Sequence, residues 1–245
     1  MGTRQRGVVT GAGRGIGRAT ADRLIREGVS VLAVDVDGPS LEGLAAAGAD
    51  VLAADLARPE ERERVAEAAA GADCLVNAAG IIRLKPIFEF TVDDWRDIFA
   101  VNAESIFFLC QTIGPRLGPG GAIVNLSSSS AKLATTTEAC LYAATKAAVL
   151  SITRSFAYAL APQVRVNAVC PGIVDTPMQE KVLDEVAVIR RTTRDELEEA
   201  RTRTVPFGRP STAEECAGLI WFLLSDESAY MTGQAINWTG GMVTW

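Results

Sequence analysis

Short apolar stretches rich in Val, Ile and Ala recur along the chain, and Gly, Asp or Asn residues bound them. These stretches do not alternate strictly between apolar and polar positions, and they are too short to be helices. Parallel strands that are buried on both faces of a sheet have this pattern. It therefore predicts strands at residues 7–10, 30–35, 50–54, 73–77, 122–127 and 164–170.

Between these strands, apolar residues recur with the period of amphipathic helices at residues 15–27, 59–70, 92–111 and 143–160. Thr91 and Asp94 form a capping box before the third stretch, and Pro59 suits the first turn of the second. This alternation predicts an α/β fold, a doubly wound parallel sheet with right-handed crossovers. We find no internal repeat and no linker, so residues 1–245 are interpreted as one domain.

One segment, residues 177–210, differs in composition because it carries many charged residues at helical spacing and has little apolar face. It directly follows the carboxyl end of the strand predicted at 164–170, which is where ligands bind in sheets of this class. One interpretation of the segment is a mobile lid over a substrate. The other is a pair of solvated surface helices, and the composition fits both.

The composition excludes several kinds of site. The chain has no histidine, so it cannot hold a Ser-His-Asp or Cys-His catalytic set or a metal bound by histidine. Its five cysteines are scattered without a C-x-x-C pair, which predicts reduced thiols and no metal site. Lys and Arg number 24 against 30 Asp and Glu, and the resulting net charge of −6 gives little reason to bind nucleic acid.

The sequence shows no pattern that is typical of a secretion signal or of a membrane span. No signal-peptide core follows the N-terminus, and the longest apolar run, residues 218–224, is far shorter than the ~20 residues of a membrane span. We therefore expect a cytoplasmic protein with no nucleic-acid partner and no membrane partner.

A glycine-rich loop joins the first predicted strand to the first predicted helix, in the sequence Thr10-Gly11-Ala12-Gly13-Arg14-Gly15-Ile16-Gly17. Glycines allow a sharp turn and a close approach to a pyrophosphate, whose charge then lies at the helix N-terminus. Asp35 ends the second strand 18 positions after Gly17. A carboxylate there can accept hydrogen bonds from an adenosine ribose and repels a 2′-phosphate, which favours NAD over NADP. Arg14 instead favours NADP over NAD, since a cation in the loop can bind a 2′-phosphate.

Further motifs follow in order along the chain: Asp55-Leu56, Asn77-Ala78-Ala79-Gly80, Asn102, Ser128, Tyr142, Lys146 and Cys170-Pro171-Gly172-Ile173-Val174-Asp175-Thr176. Together with the Thr-Gly-x-x-x-Gly-x-Gly spacing of the loop, they resemble the short-chain dehydrogenase/reductase family over essentially the whole chain. The resemblance implies a Rossmann-type sheet with strand order 3-2-1-4-5-6-7 and an NAD(P)-dependent oxidoreductase. It also implies a homotetramer built on the helices at 103–117 and 142–160, whose small and apolar residues are equally consistent with core packing.

The resemblance assigns cofactor contacts position by position. The residues expected around the pyrophosphate are Gly11, Arg14, Gly15, Ile16 and Gly17. Those expected around the adenosine are Asp35, Asp55, Leu56, Asn77, Ala78 and Gly80. Those expected beside the nicotinamide, its ribose and the phosphates are Tyr142, Lys146, Pro171, Gly172, Ile173 and Thr176.

Tyr142 is the only one of three tyrosines with a lysine four residues later, and this spacing places Tyr142 and Lys146 on one helical face. A phenol with a pKa of ~10 is too weak a base at neutral pH. A lysine cation about 4 Å away, together with the positive charge of an oxidised nicotinamide, is expected to lower the pKa of the phenol toward neutrality. We therefore predict that Tyr142 is the general acid and base.

The resemblance gives Ser128 and Asn102 supporting roles. Ser128 would hydrogen-bond the substrate oxygen, and Asn102 would hold a water that relays protons from Lys146. Four serines at 127–130 are contiguous, and Ser128 lies fourteen positions before Tyr142, where many family members have thirteen. Ser129 is therefore the alternative to Ser128.

The segments around Tyr142 and at 174–177 look like those of family members that act on small hydroxy acids, including hydroxybutyrate, and on keto-deoxy sugar acids. We expect an NAD-dependent oxidoreductase for the secondary alcohol or ketone of a hydroxy acid, polyol or sugar acid. Arg190 or Arg191 could bind a carboxylate or be solvated surface charge. Trp245 could line a pocket or a subunit interface. The alternatives are an NADPH-dependent 3-ketoacyl-type ketoreductase and a catalytically silent dinucleotide-binding regulator.

Overall fold

Seven parallel strands form one sheet in the computed structural model, which describes residues 4–133 and 136–245. Their order is β3-β2-β1-β4-β5-β6-β7, which confirms the order implied by the resemblance. The strands are β1 Arg6–Thr10, β2 Ser30–Asp35, β3 Asp50–Ala53, β4 Cys74–Asn77, β5 Gly121–Leu126, β6 Val164–Pro171 and β7 Ala235–Trp238.

Helices cover both faces of this sheet. They are α1 Gly15–Arg26, α2 Glu42–Ala46, α3 Pro59–Ala68, α4 Val92–Phe99, α5 Ser105–Ile113, α6 Cys140–Leu160, α7 Pro177–Arg190, α8 Arg194–Thr202 and α9 Ala213–Leu224. Single 3₁₀ turns lie at Gly38–Leu41, Ile87–Glu89, Gly114–Arg116, Ser129–Ala131 and Asp226–Ser228.

The central strands are buried on both faces, as their continuous apolar sequences predicted. Val8 packs in an apolar cluster with residues of α3, α5 and α6, whereas its neighbour Val9 packs in a second cluster with residues of α1 and α9. Successive side chains of a strand point to opposite faces, so each central strand contributes to both cores.

Three elements differ from the pattern-based expectations. β7 was not predicted, because it is only half-buried and contains the polar Asn237 instead of a continuous apolar run. α6 begins at Cys140, three residues before the predicted start. The helix predicted at 92–111 is interrupted by a π-helical segment, Ala100–Glu104, which separates α4 from α5.

The helical stretch Val92–Arg116 is 25 residues long and, by length and composition alone, apolar enough to cross a membrane. Half of its most apolar window is buried inside the fold. Ile106 and Leu109 from this stretch lie in the same apolar cluster as Ile123 of β5. We interpret the stretch as a core helix of the fold.

The strand order reverses between β1 and β4, and ligands bind in the crevice at the carboxyl ends of the strands at such a point. The glycine loop leaves the end of β1 at Thr10, and the predicted serines follow the end of β5 at Leu126. The motifs that the sequence singled out therefore meet at one edge of the sheet.

The charged segment 177–210 forms α7 and α8, and we call this segment the lid. Leu183 and Leu197 of the lid are buried in an apolar cluster with Ile82, and Tyr142 packs against this cluster. The two ends of the lid meet in an isolated parallel β-bridge between Val174 and Ser211. The lid therefore covers the predicted catalytic tyrosine.

Candidate active site

The glycine loop needs its glycines for conformation and for space. Gly11 and Gly15 have φ angles of +65° and +57°, in the left-handed region that L side chains rarely adopt. A Cβ atom on Gly11 would lie 2.7 Å from the Cα and N atoms of Ala79, two residues beyond the end of β4. The loop therefore packs closely against the end of β4, and the N-terminus of α1 lies at the crevice.

The Asp35 carboxylate at the end of β2 is held by two backbone groups. The N–H of Gly13 donates to Oδ2 at 2.9 Å, and the N–H of Asp37 donates to Oδ1 at 3.0 Å. Each carboxylate oxygen keeps further acceptor capacity. A negative charge therefore has a fixed position next to the glycine loop.

Thr10 connects the glycine loop to the segment that follows β4. Its Oγ1 accepts hydrogen bonds from the N–H groups of Ala78 at 3.1 Å and Ala79 at 3.2 Å. The Asn77 side chain is buried in the sheet, where Nδ2 donates to Asn125 Oδ1 at 2.9 Å. Of the three residues predicted here, Asn77 thus has its side chain in the core instead of the crevice, while Ala78 and Gly80 are half-buried at the strand end.

Asp55 and Leu56 follow β3, as the resemblance required. Asp55 Oδ1 accepts the N–H of Ala57 at 3.0 Å and so closes a tight turn. Leu56 is buried in the apolar cluster on the α3 side of the sheet. The Leu56 side chain is thus committed to the core.

Asn102 lies inside the π-helical segment, and hydrogen bonds fix its side-chain amide. Oδ1 accepts the N–H of Ile81 and Nδ2 donates to the Ile81 carbonyl, both at 2.8 Å, while Nδ2 also lies 3.2 Å from Thr145 Oγ1. π-Bulges are frequent at functional sites, because the extra residue reorients one side chain within a helix. Here the distortion coincides with a residue that the resemblance assigns to catalysis.

Tyr142 and Lys146 lie one turn apart on α6, as their spacing predicted. Lys146 Nζ donates to the Leu126 carbonyl at 2.7 Å and lies 5.5 Å from the centre of the Tyr142 ring. A Cβ atom on Gly80 would lie 3.5 Å from both Lys146 Nζ and Asn102 Oδ1. The structure therefore brings Gly80, Asn102, Tyr142 and Lys146 together.

The predicted lowering of the phenol's pKa depends on the charges of Lys146 and of an oxidised nicotinamide together, and the protein's own groups do not supply it. Burial raises the pKa of Tyr142 to about 12, and a hydrogen bond from Ser128 opposes this rise only in part. Burial also lowers the pKa of the Lys146 ammonium to about 8. Removing the phenol from water favours its neutral form, and the lysine donates to the Leu126 carbonyl and not to the phenol.

The contiguous serines have different partners. Ser127 Oγ donates to the Lys146 carbonyl at 2.8 Å and ties the strand end to α6. The Ser128 hydroxyl lies close enough to the Tyr142 phenol to lower its pKa, and Ser128 Oγ accepts the N–H of Ser130 at 3.1 Å. Ser129 begins a 3₁₀ turn. Of the two candidates, Ser128 is thus the serine beside the phenol.

The end of β6 completes the crevice. Gly172 packs so closely on Thr239 that a Cβ atom would lie 3.2 Å from the Thr239 Cα. Thr176 caps α7 by accepting the N–H of Gln179, and its methyl group lies beside Gly15 of the glycine loop. The predicted residues from Pro171 to Thr176 therefore border the same crevice as the glycine loop.

Comparisons with known proteins agree with this geometry. A family model described as enoyl-(acyl carrier protein) reductase matches residues 11–243. Dehydrogenase/reductase SDR family member 6 of Xenopus laevis is 35% identical over 238 residues, which cover 96% of this chain and 95% of that protein. This chain belongs to the short-chain dehydrogenase/reductase family. It is an NAD(P)-dependent oxidoreductase.

Two further relatives differ in what they act on. The L-2,3-butanediol dehydrogenase of Corynebacterium glutamicum is 35% identical over 256 residues, which cover 96% of this chain and 97% of that protein. The solved structure of a tryptophan variant of actinorhodin polyketide ketoreductase with NADPH has a TM-score of 0.91 at 30% identity. The match covers 99% of this chain and 98% of the ketoreductase chain. Relatives this different leave the substrate of this short-chain dehydrogenase/reductase to be argued from its own lid.

Arg190 of the lid does not present a free guanidinium to a substrate. Its Nε and Nη2 donate to the two carboxylate oxygens of Glu138, at 2.7 and 2.9 Å. Arg190 holds the pKa of Glu138 at about 2. Arg191 is exposed at the end of α7, where its φ of 54° lies in the left-handed region. Of the two alternatives for Arg190, carboxylate binding and solvated surface charge, neither describes this contact, which ties the lid to the segment before α6.

Trp245 is 71% exposed, and its carbonyl accepts hydrogen bonds from Asn237 at 2.9 Å and from Lys132 at 3.4 Å. Lys132 follows the serine turn, so the C-terminal residue is tied to the loop beyond Ser128. Most of the Trp245 residue is therefore in solvent.

Glu138, Thr145 and Arg201 contact this site or its lid, and sequence reasoning missed all three. Thr145 had a signal, because it precedes Lys146 and so lies near the face of α6 that carries the predicted catalytic residues. Glu138 and Arg201 lie outside every family motif that we identified. Their roles depend on pairing with residues far along the chain.

Proposed function

We propose that this chain is an NAD-dependent dehydrogenase for the secondary alcohol or ketone of a small polar substrate. The observation that carries the choice of cofactor is Asp35, because both of its carboxylate oxygens are oriented by backbone N–H groups. A carboxylate fixed at the end of β2 accepts hydrogen bonds from ribose hydroxyls and repels a 2′-phosphate.

The residues of the crevice fit a dinucleotide. The conformations of Gly11 and Gly15 leave backbone N–H groups at the N-terminus of α1, which is a binding site for a pyrophosphate. Ile16 and Gly17 begin this helix, and Thr176 lies beside Gly15. When bound, the nicotinamide accepts or donates the hydride.

The protein side chains position the substrate oxygen and move its proton. Ser128 lies close enough to the Tyr142 phenol to lower its pKa, so one substrate oxygen can contact both hydroxyls. Tyr142 takes the proton of the alcohol during oxidation and returns it to the ketone during reduction. Lys146, whose pKa is about 8, is largely a cation at neutral pH and favours the phenolate. Asn102 lies beside Lys146 and would hold a water that carries the proton onward.

An NADPH-dependent ketoreductase is the second candidate. Arg14 is exposed at the start of α1, where its cation could bind a 2′-phosphate. The similarity to a ketoreductase structure with NADPH also favours it. We give Asp35 more weight, because its charge is fixed while the exposed side chain of Arg14 can move away.

Cofactor titration tests the proposal. We expect NADP to bind at least about 10-fold more weakly than NAD, and Asp35→Ser to narrow this ratio because it removes the repulsion. Asp37→Asn is the matched control, since Asp37 is exposed and its contact with Asp35 uses only its backbone N–H. Tighter binding of NADP than of NAD to the unmodified protein would support the second candidate.

We also propose that the protein is a cytoplasmic homotetramer. Three aromatic side chains lie exposed on the outer surfaces of α5 and α6: Phe107 and Phe108 are each 38% exposed and Tyr158 is 89% exposed. Exposed aromatic residues are typical of subunit interfaces. Light scattering after size exclusion should give about four times the chain mass of 25.9 kDa.

A further inference from the structure

A cleft of about 430 Å³ lies between the lid helices and the chain that leaves β6. Ile173, from the segment that the resemblance places beside the nicotinamide, lines it. Leu183 also lines it, and the same side chain packs in the apolar cluster against which Tyr142 lies. One side chain is therefore shared between the cleft and the covering of the catalytic phenol.

Arg201 lines this cleft, and its guanidinium is only partly satisfied. Nη2 donates to Gln179 Oε1 at 3.2 Å, whereas Nη1 is buried and has no hydrogen-bond partner among the described residues. Leu197, one turn earlier on α8, is buried in the cluster that covers Tyr142. Residues four apart share a helical face, so Arg201 is directed to the inner side of the lid.

The charges on the inner side of the lid do not balance. Arg190 and Glu138 form a bidentate pair, and among residues 4–133 and 136–245 no carboxylate forms an ion pair with Arg201. Glu180 lines the cleft but pairs with Arg194. The carboxylates that line the cleft are all exposed, and they are Asp175, Glu180 and Glu198. Arg201 is half-buried, but a covered polar atom without a partner, such as its Nη1, is rare, and one that carries charge favours an anion as its partner.

We propose that Arg201 is the specificity residue that binds the carboxylate of the substrate. The substrate is then a small hydroxy acid or its keto acid, and not a neutral alcohol or polyol. A guanidinium binds a carboxylate through two parallel hydrogen bonds, and Gln179 would orient it for this. Since the protein covers Nη1 with the lid in this position, α8 shifts outward as the acid enters. This inference rests on the proposed dehydrogenase function.

Matched substrates test the inference. NAD reduction is measured with three acids and their neutral counterparts: lactate and 1,2-propanediol, 3-hydroxybutyrate and 1,3-butanediol, and gluconate and sorbitol. We expect at least one acid to exceed its counterpart roughly 100-fold in kcat/KM, because a site built for a polar group rejects an analogue that lacks it. Neutral substrates that match or exceed every acid would overturn the proposal.

Arg201→Met should lower kcat/KM for the preferred acid roughly 100-fold, mainly by raising KM. For the neutral counterpart, kcat/KM should change less than about 3-fold. Arg201→Lys should restore part of the loss, since it keeps the charge without the planar fork. Gln179→Leu should raise KM for the acid without changing kcat. Arg203→Met is the matched control, because Arg203 is on the same helix, exposed and paired with Glu199. Equal losses for acid and neutral substrates would contradict the assignment to Arg201.

A binding experiment separates failure of this inference from failure of the proposed function. In a Tyr142→Phe background with NAD, calorimetric titration with 3-hydroxybutyrate, lactate and gluconate needs no turnover. We expect adding Arg201→Met to weaken the Kd of the tightest acid at least about 10-fold. An unchanged Kd overturns the role of Arg201 even if the protein oxidises alcohols. Absence of NAD reduction with every substrate, together with Arg201-dependent binding, would refute the dehydrogenase function alone.

Discussion

The cofactor side and the substrate side of the crevice are held together by different kinds of contact. On the cofactor side, the glycine loop, Thr10 and Asp35 are joined by hydrogen bonds to backbone N–H groups at neighbouring strand ends. On the substrate side, buried leucines and the pair between Arg190 and Glu138 hold the lid through side chains. The geometry of the cofactor side is therefore set mainly by backbone groups, whereas a few side chains hold the substrate side.

Tyr142 is the residue that both sides share, and its replacement should have the largest effect. Tyr142→Phe removes the proton donor and acceptor, so we expect kcat to fall at least about 1,000-fold. The Kd for NAD should change less than about 2-fold, since the glycine loop is untouched. Steady-state assays measure kcat, and titration with NAD measures the Kd.

Tyr158→Phe is the control for this change, because Tyr158 is on the same helix but exposed. It should leave turnover unaffected. Retained turnover in Tyr142→Phe would refute the mechanism. A parent protein that binds NAD but turns over none of the six substrates would instead support a silent regulator.

Gly11→Ala should damage the cofactor side alone. The new methyl group would collide with the backbone of Ala79 at a φ of +65°, so we expect the Kd for NAD to weaken at least about 10-fold. Gly28→Ala is a matched control, because Gly28 has a φ of +82° but open space around it. The control should lose about 1 kcal/mol of unfolding free energy and keep its affinity for NAD. Equal NAD affinity in both variants would show that the close approach at Gly11 is unimportant.

Glu138→Gln should affect the substrate side and leave the cofactor side intact. It breaks the pair with Arg190, and we expect KM to rise about 3-fold and the free energy of unfolding to fall by about 1 kcal/mol. The Kd for NAD should not change. Glu185→Gln, at an exposed position of α7 paired with Lys181, is the control. A changed Kd for NAD would contradict the independence of the two sides.

The smallest expected effect is the pH dependence of the contribution that Glu138 makes to the free energy of unfolding. The folded pKa of Glu138 is about 2, below the unfolded value of ~4.3, so the pair stabilises the fold above that value. Its contribution should be lost as pH falls from about 4 toward 2. Urea unfolding should therefore give a constant difference between parent and Glu138→Gln from pH 8 to 5, and a smaller one at pH 3. A difference that is unchanged at pH 3 would rule out the ion pair as its source.

The sequence allowed prediction of the cofactor side because its signals are local. The glycine loop, the strand before it and Asp35 all fall within the first 35 residues of the sequence. The lid contacts are different, since Glu138 and Arg190 are 52 residues apart and no periodicity links them. The burial that raises the pKa of Tyr142 was not predicted for the same reason, because it depends on packing against residues far along the chain.

Two elements show where periodicity itself fails. β7 is half-buried and includes Asn237, so its sequence lacks the apolar run that identified the other strands. The π-helical segment Ala100–Glu104 lies within a stretch that the apolar period predicted as one helix, and inside it the Asn102 side chain exchanges two hydrogen bonds with the backbone of Ile81. Both elements make contacts with residues elsewhere in the fold, and a local sequence pattern carries no information about those contacts.

The β-bridge between Val174 and Ser211 closes the lid at its base. Two further hydrogen bonds, Asp175 N–H to the Ser211 carbonyl at 2.9 Å and Ser211 N–H to the Ile173 carbonyl at 3.0 Å, complete this closure. The lid is therefore an insertion with both ends anchored at one point, and recombination could exchange it as a unit between related proteins without altering the reacting groups. A transplanted lid would also need a matching residue at position 138, since the Arg190 contact lies outside the exchanged segment.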